Sequence, residues 1–164
     1  MKSKKFDISW IKDKFIINIL NTFIDHILEK KSNDIKAILL FGSLARDDFV
    51  YNDEHQSDID LLIISENLPD DIFQRKLYTA NLSKSVGAGI HKLWYTSEEL
   101  IKLIKAHRAF FLEIIKYGRI IFETDGFLSN LKITVENIIK EKGIRETEHA
   151  WMWPQAPPGS KIEW

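Results

Sequence analysis

Two aspartates stand one residue apart in Ser57-Asp58-Ile59-Asp60-Leu61, directly ahead of the aliphatic run Leu61 to Ile64. Residues two apart in a strand point to the same face, so the spacing predicts carboxylates side by side. Paired oxygen donors of this kind hold Mg2+ (or Mn2+), with water and substrate phosphates completing the shell. Two acids at the exposed end of a strand would give the same pattern. However, aspartate is depleted in strands, and like charges on one face repel. A second feature lies upstream. Phe41-Gly42-Ser43-Leu44-Ala45-Arg46 carries an apolar run into Gly-Ser and then into a helix start. Glycine lets the backbone approach a ligand closely. Ser43 offers a hydroxyl, and free N–H groups at a helix start attract phosphate oxygens. Alone, the segment also reads as an ordinary strand-to-helix turn capped by Ser43. Arg46 either neutralises phosphate charge or sits in water on the helix surface.

Together the two features are more specific. Gly42-Ser43 ends one predicted strand and Asp58-x-Asp60 starts the next, and strands consecutive in sequence often neighbour in space. The motifs are therefore expected on adjacent strands facing a common cleft. Leu39-Leu40-Phe41-Gly42-Ser43-Leu44-Ala45-Arg46, then Ser57-Asp58-Ile59-Asp60-Leu61-Leu62-Ile63-Ile64, resembles the nucleotidyltransferase superfamily of DNA polymerase beta and the small minimal nucleotidyltransferases. The motif resemblance covers residues 35–65, and the element order extends it to about 10–125. It implies a small mixed sheet flanked by helices. It also implies that Gly42 and Ser43 hold nucleotide phosphates and that Asp58 and Asp60 hold catalytic divalent metals. The implied reaction moves a nucleoside monophosphate from an NTP onto an acceptor, which is a protein, an RNA or a small molecule. Minimal members are often paired with a helical partner protein, sometimes as antitoxin and toxin. The chain departs from the family pattern at Asp47, where a glycine is usual, and in a slightly longer Leu44–Ser57 segment.

The larger departure concerns a third carboxylate, which the family supplies from a later strand. The matching segment is Ile90-His91-Lys92-Leu93-Trp94-Tyr95, and no Asp or Glu occurs from Ile72 to Ser97. His91 would substitute as a base, since imidazole exchanges protons near neutral pH. Lys92 would instead attract phosphate while repelling metals. Both also fit a solvated strand edge. Strand alternation lets only one of them face the metals. An NTP-binding regulatory or antitoxin-like module, weak or inactive in catalysis, is the alternative reading. A third is a plain interaction domain using Trp151, Trp153 and Trp164.

The elements that must position these residues follow from periodicity. Ile16, Ile17, Ile19, Leu20, Phe23, Ile24, Ile27 and Leu28 predict a helix from about Trp10 to Lys31. Ile35–Phe41, Ser57–Ile64, Ile90–Tyr95 and Arg119–Glu123 read as strands. Tyr51–Gln56 reads as a loop. Asp70 is expected to cap a helix to about Val86, with Ile72, Phe73, Leu77 and Ala80 on one side. Thr96-Ser97-Glu98-Glu99 is a capping box that opens a helix to about Tyr117. A last helix runs from Gly126 to near Gly143, and the tail from Trp151 is expected to be irregular. Lys102, Lys105, His107 and Arg108 make one helix basic, diluted by Glu98, Glu99 and Glu113, which reads as a solvated face. His26, His55 and His149 suggest no metal cluster. Alternating strands and helices predict an α/β (α+β) domain.

Composition narrows the class. The chain has 164 residues, of which 45% are hydrophobic and 29% charged, which excludes a disordered or collagen-like chain. One domain over residues 1–164 is expected, its core at about 10–125, with a C-terminal helix and a Trp/Pro-rich tail over 126–164. Lys+Arg 23 against Asp+Glu 24 gives a net charge of −1, so no global basic field recruits nucleic acid. There is no cysteine. Disulfides and thiolate metal sites are excluded, and a cytoplasmic location is expected. No apolar run is long enough to span a bilayer, and no targeting segment is read at the N-terminus.

Overall fold

The computed structural model describes residues 6–31, 33–46, 58–147 and 150–154. The expected loop Tyr51–Gln56 lies outside them, as do Asp47, His55, His149 and Trp164.

Helix α1 (Lys14–Lys31) buries Ile16, Leu20, Phe23, Ile24, Ile27 and Leu28. That is the face its periodicity predicts, and Lys30 and Lys31 close its last turn, where cations suit the helix dipole. Strand β1 (Ile35–Phe41) follows, then the single turn α2 (Gly42–Ala45) and strand β2 (Ile59–Ser65). Asp58 sits one residue before β2 and is exposed. Helix α3 (Ile72–Leu82), strand β3 (Ile90–Tyr95), helices α4 (Ser97–Lys105) and α5 (Ala109–Tyr117), strand β4 (Arg119–Glu123) and helix α6 (Phe127–Glu141) complete the main body.

Four strands form one mixed sheet in the order β3-β2-β1-β4. β1 is antiparallel to both β2 and β4, and β3 runs parallel to β2. Helices cover both faces. Ile38, Leu40, Leu61 and Ile63 pack with Leu20, Phe23, Ile24 and Ile27 of α1. On the other face, Leu39, Phe41, Leu62 and Ile64 pack with Leu100, Ile104, Leu112, Ile115, Leu128, Leu131 and Val135. The two inner strands are thus buried on both sides. That explains why they read as continuous apolar runs rather than alternating ones. Full burial of each such side chain is worth about 1.5–3 kcal/mol.

Several expectations need correction. The cap of α3 is Asp71, not Asp70: its Oδ1 accepts from the N–H of Phe73 at 3.1 Å and of Gln74 at 2.9 Å. The helix ends at Leu82, because Val86 N–H turns back to Ser83 O at 3.1 Å. Ile72, Phe73 and Leu77 do share a side, but it is the outer one, 62%, 72% and 59% exposed. The helix instead docks through Leu82, half-buried Tyr78 and Arg75. The helix expected from Thr96 to Tyr117 is two. His107 adopts a left-handed φ of 51°, and the N–H groups of Phe111 and Leu112 restart on Arg108 O. No Gly or Pro marks that break. The tail is not wholly irregular either. Arg145–Glu146 (β5) pairs with Trp151–Met152 (β6), and Thr147 and Ala150 close the turn.

The capping box is present: Thr96 Oγ1 accepts from Glu99 N–H, and Glu99 Oε2 accepts from Thr96 N–H at 2.9 Å. Both Glu99 oxygens also receive Arg75 of α3, at 2.9 and 2.8 Å. This bidentate pair ties α3 to α4. It holds the Glu99 carboxyl below the usual carboxylate range, chiefly through the Arg75 hydrogen bonds. A depressed carboxyl contributes stability above its unfolded pKa, and that contribution is lost as pH falls through the folded value. Glu99→Gln is expected to cost about 1 kcal/mol at pH 7, since the pair is only partly shielded from water. The difference from the parent protein should vanish in acid, below the carboxylate range. Urea titrations across pH check this, and a constant difference down to acid pH would contradict the ionic account.

Candidate functional site

The register of β1 on β2 pairs Phe41 with Asp60, so the chain leaves β1 for α2 beside that carboxylate. Gly42 makes the turn with φ of +75°, a conformation that side-chain-bearing residues adopt only under strain. Space demands glycine as well. A Cβ there would lie 3.2 Å from Asp60 Cγ and would collide with Oδ2. Backbone and carboxylate therefore meet where the Gly-Ser turn begins. Ser43 follows in α2, half-buried.

The parallel register pairs Asp60 with His91 across β2 and β3. His91 Nδ1 lies 3.0 Å from Asp60 Oδ1. A carboxylate accepts, so Nδ1 donates and Nε2 is left facing outward. Lys92 points to the other side of the sheet. Its ammonium donates to Gly87 O at 3.0 Å and lies 5.6 Å from the Phe23 ring centroid. Burial pushes its pKa below the usual lysine range. Of the two third-strand candidates, His91 meets Asp60 and Lys92 packs with α1. Asp60 and His91 are 21% and 59% exposed at their side chains, so the pair stands at the surface with the imidazole outermost.

Arg46 ends α2 and reaches toward α5. Its guanidinium pairs with Glu113 and lies 5.3 Å from the Tyr117 ring centroid. Arg119 of β4 donates through Nε to Ala45 O at 2.9 Å, which fixes the end of α2 from below. Tyr117 is fixed in turn, because its hydroxyl donates to Glu146 of β5, which also receives Lys116 Nζ at 2.6 Å. Gly42, Arg46, Phe110, Glu113 and Tyr117 thereby line a cavity of about 150 Å3. Sequence reasoning missed Glu113, Tyr117 and Arg119. Glu113 registered only as a diluting charge, and nothing in its local pattern ties it to Arg46, 67 residues away. A larger cavity of about 370 Å3, beside Lys36, Ile104, Lys105 and Phe127, opens near the start of β1 and shares no residue with this one.

The donor set fits a hard divalent cation in one respect. Asp58 and Asp60 would supply carboxylate oxygens, and the side chain that would fill the space beside Asp60 is absent at Gly42. Among the described residues, no group of three or more His, Cys, Asp or Glu side chains is placed to hold a metal. Two acids with open positions match an ion that keeps water and phosphate ligands, rather than one caged by protein.

The family described as polymerase beta, nucleotidyltransferase matches residues 23–126, and the chain belongs to that family. The matched span includes Gly42-Ser43, Asp58, Asp60 and His91. The chain is 29% identical over 132 residues to the putative protein adenylyltransferase MJ1305 of Methanocaldococcus jannaschii, covering 78% of this chain and 86% of that protein. Among solved structures, it aligns with a putative nucleotidyltransferase from Sulfolobus solfataricus at 14% identity, over 73% of this chain and 95% of that one, with a TM-score of 0.47. It also aligns with a toxin–antitoxin structure bound to AMP-PNP at 14% identity, over 73% of this chain and 86% of that one, with a TM-score of 0.43.

The Gly42 contact gives a direct test. Gly42→Ala is expected to destabilise the protein by about 3 kcal/mol, from left-handed strain plus overpacking. Adding Asp60→Ala removes the collision and should return roughly half of that loss, leaving the φ penalty. Urea midpoints of the two singles and the double measure the coupling. Strictly additive losses would show that the carboxylate is not what excludes a side chain at position 42.

Proposed function

We propose that the protein is an NTP-dependent nucleotidyltransferase that moves a nucleoside monophosphate onto a hydroxyl acceptor. The observation that carries this reading is the close approach of the Gly42 backbone to the Asp60 carboxylate, which sets the Gly42-Ser43 turn beside Asp60 at one end of the two inner strands. Gly42 and Ser43 orient the triphosphate through backbone and hydroxyl. Asp58 and Asp60 would hold Mg2+ or Mn2+, which when bound would offset phosphate charge and lower the pKa of the acceptor hydroxyl. In the transfer itself, the acceptor oxygen forms a bond to the α-phosphorus, and the bond to the departing pyrophosphate breaks. His91, steadied through Nδ1 by Asp60, presents Nε2 to take the hydroxyl proton. The name of the archaeal relative supports AMP as the transferred group and a protein as the acceptor. In this reading the whole chain acts as one domain, the hairpin and tail included.

A specific observation favours a second reading. His91, not a carboxylate, occupies the strand position level with Asp60. A site with two acids binds nucleotide without being built for fast turnover, so an NTP-binding regulatory module acting through a partner protein is the alternative. Among the described residues, no helix is long and apolar enough to cross a membrane.

Heat denaturation with and without Mg2+-NTP tests binding, and transfer of labelled NMP to proteins of a host lysate tests turnover. At one hundred times Kd, ligand linkage should stabilise the native state by about 2.7 kcal/mol. The Asp58→Asn, Asp60→Asn double variant should stay folded and lose the Mg2+-dependent part of that shift, together with any transfer. Binding without transfer selects the regulatory reading. A nucleotide shift that survives in the double variant would count against these acids.

A further inference from the structure

We propose that the outer face of α3 is a homodimer interface, on which a second copy of this chain lays its own α3 in the antiparallel sense. The proposal stands on α3 and its two flanks alone and does not depend on the nucleotide reading.

The helix is amphipathic the wrong way round for a surface helix. Its side toward the body carries Arg75, Tyr78 and Thr79, all half-buried, and Leu82 is its one buried residue. Those polar groups are engaged there. Arg75 is held by Glu99, the Thr79 hydroxyl donates to Arg75 O at 2.9 Å, and Lys31 Nζ lies 5.3 Å from the Tyr78 ring centroid. The opposite side presents Phe73, Leu77 and Ala80 to water, with Ile72 at its flank. A helix covering a core ordinarily shows the reverse arrangement. Exposed apolar side chains scattered singly need no explanation, but here an aromatic and two aliphatics adjoin on three turns of one helix, which marks a contact surface.

Size and charge then select the occupant. Asp70, Phe73, Leu77, Ala80 and Lys84 follow one another at alternating steps of three and four residues, the spacing of a helix–helix seam. All five are exposed, and Asp70 and Lys84 bracket the helix at its two ends. An acid at one end, a base at the other and a leucine midway make the seam complementary to itself when reversed. Antiparallel pairing about Leu77 sets Asp70 against Lys84 of the second copy and the large Phe73 against its small Ala80. Leu77 meets its own counterpart on the twofold axis. Each contact is made twice, as an isologous interface requires. Parallel pairing would instead stack Phe73 on Phe73 and bring like charges together at both ends, which costs affinity. Since α3 leads through the 83–89 turn to His91, the antiparallel arrangement would carry the two Asp60–His91 pairs to opposite ends of the dimer.

Sedimentation equilibrium of the full chain tests this. A reversible dimer with a Kd of about 10 μM is expected, since few large side chains form its centre. Leu77→Lys, at an exposed position that leaves the core intact, should weaken association by at least about a hundredfold. Asp70→Lys alone should weaken it by roughly tenfold, and adding Lys84→Asp should restore the parent affinity, because the swap exchanges the ends of the seam without changing its complementarity. Cross-linking checks the axis. The chain has no cysteine, so Leu77→Cys should give a disulfide-linked dimer on mild oxidation, while Phe15→Cys, equally exposed on α1, should stay monomeric under the same conditions. A chain that remains monomeric up to about 1 mM overturns the proposal. A dimer that Leu77→Lys leaves intact, or a charge-swapped double variant no tighter than Asp70→Lys alone, overturns it equally.

Discussion

The contact between the Gly42 backbone and the Asp60 carboxylate is the constraint on which the rest of this structure turns. It exists only because Phe41 pairs with Asp60 across β1 and β2, and that register is set by burial. Shifting β2 by one residue would turn Leu62 and Ile64 away from the α4–α6 side and move Asp60 to the face packed by α1. Leu61 and Ile63 would then lose their contacts with α1. The register is specified from both faces at once, so the acid is placed by aliphatic packing rather than by polar contacts of its own. Placing the carboxylate at the strand end lets it reach water while every neighbour behind it is dry.

The helices on the site side serve the same end. Arg119, one strand over, holds the last carbonyl of α2, while Lys132 of α6 donates to Gly118 O at 2.7 Å and Lys116 O at 3.1 Å. Burial drives the Lys132 ammonium below the usual lysine range, so this cation is held for its hydrogen bonds to the end of α5. Gly118 is tight for a second reason. A Cβ there would stand 2.5 Å from Ile114 O and 2.6 Å from Leu39 Cδ2. α5 can lie close enough to β1 to wall the cavity only because that residue has no side chain.

Much of the fold was legible because the strands and most helices advertise themselves by burial. The runs Ile35–Phe41 and Leu61–Ile64 have no reading but a doubly covered strand, and the Thr96–Glu99 box marks its helix end in four letters. The Gly-Ser and Asp-x-Asp motifs were legible because chemistry restricts them to few residue types. What stayed hidden was set by tertiary packing. Ile72, Phe73 and Leu77 look like a buried stripe, but Arg75 binds Glu99 and turns the opposite side of α3 inward. The break at His107 carries no local signature, since Leu100, Ile104, Phe111 and Ile115 keep one helical phase across it. Glu113 and Tyr117 belong to the cavity through partners far away in sequence, beyond the reach of any spacing rule.

The charges around the site, taken in pairs, explain what the nucleotide reading requires of its ligand. Arg46 faces Glu113, Lys116 faces Glu146, and Lys92 is turned to the other face of the sheet. These cations are already matched or directed elsewhere. Asp58 and Asp60 leave the turn acidic, with the His91 imidazole hydrogen-bonded to Asp60. Two unit charges of like sign 4 Å apart repel by about 4 kcal/mol at an effective dielectric near 20. A bare triphosphate brought against this turn would meet that cost more than once, and no described lysine or arginine is free beside Asp60 to remove it. Under the proposed function, a nucleotide would therefore have to arrive with its cations. The Arg46–Glu113 pair, which lines the cavity beside Gly42, is satisfied within itself, so the proposed function leaves that neutralisation to the cations that would come with the phosphates.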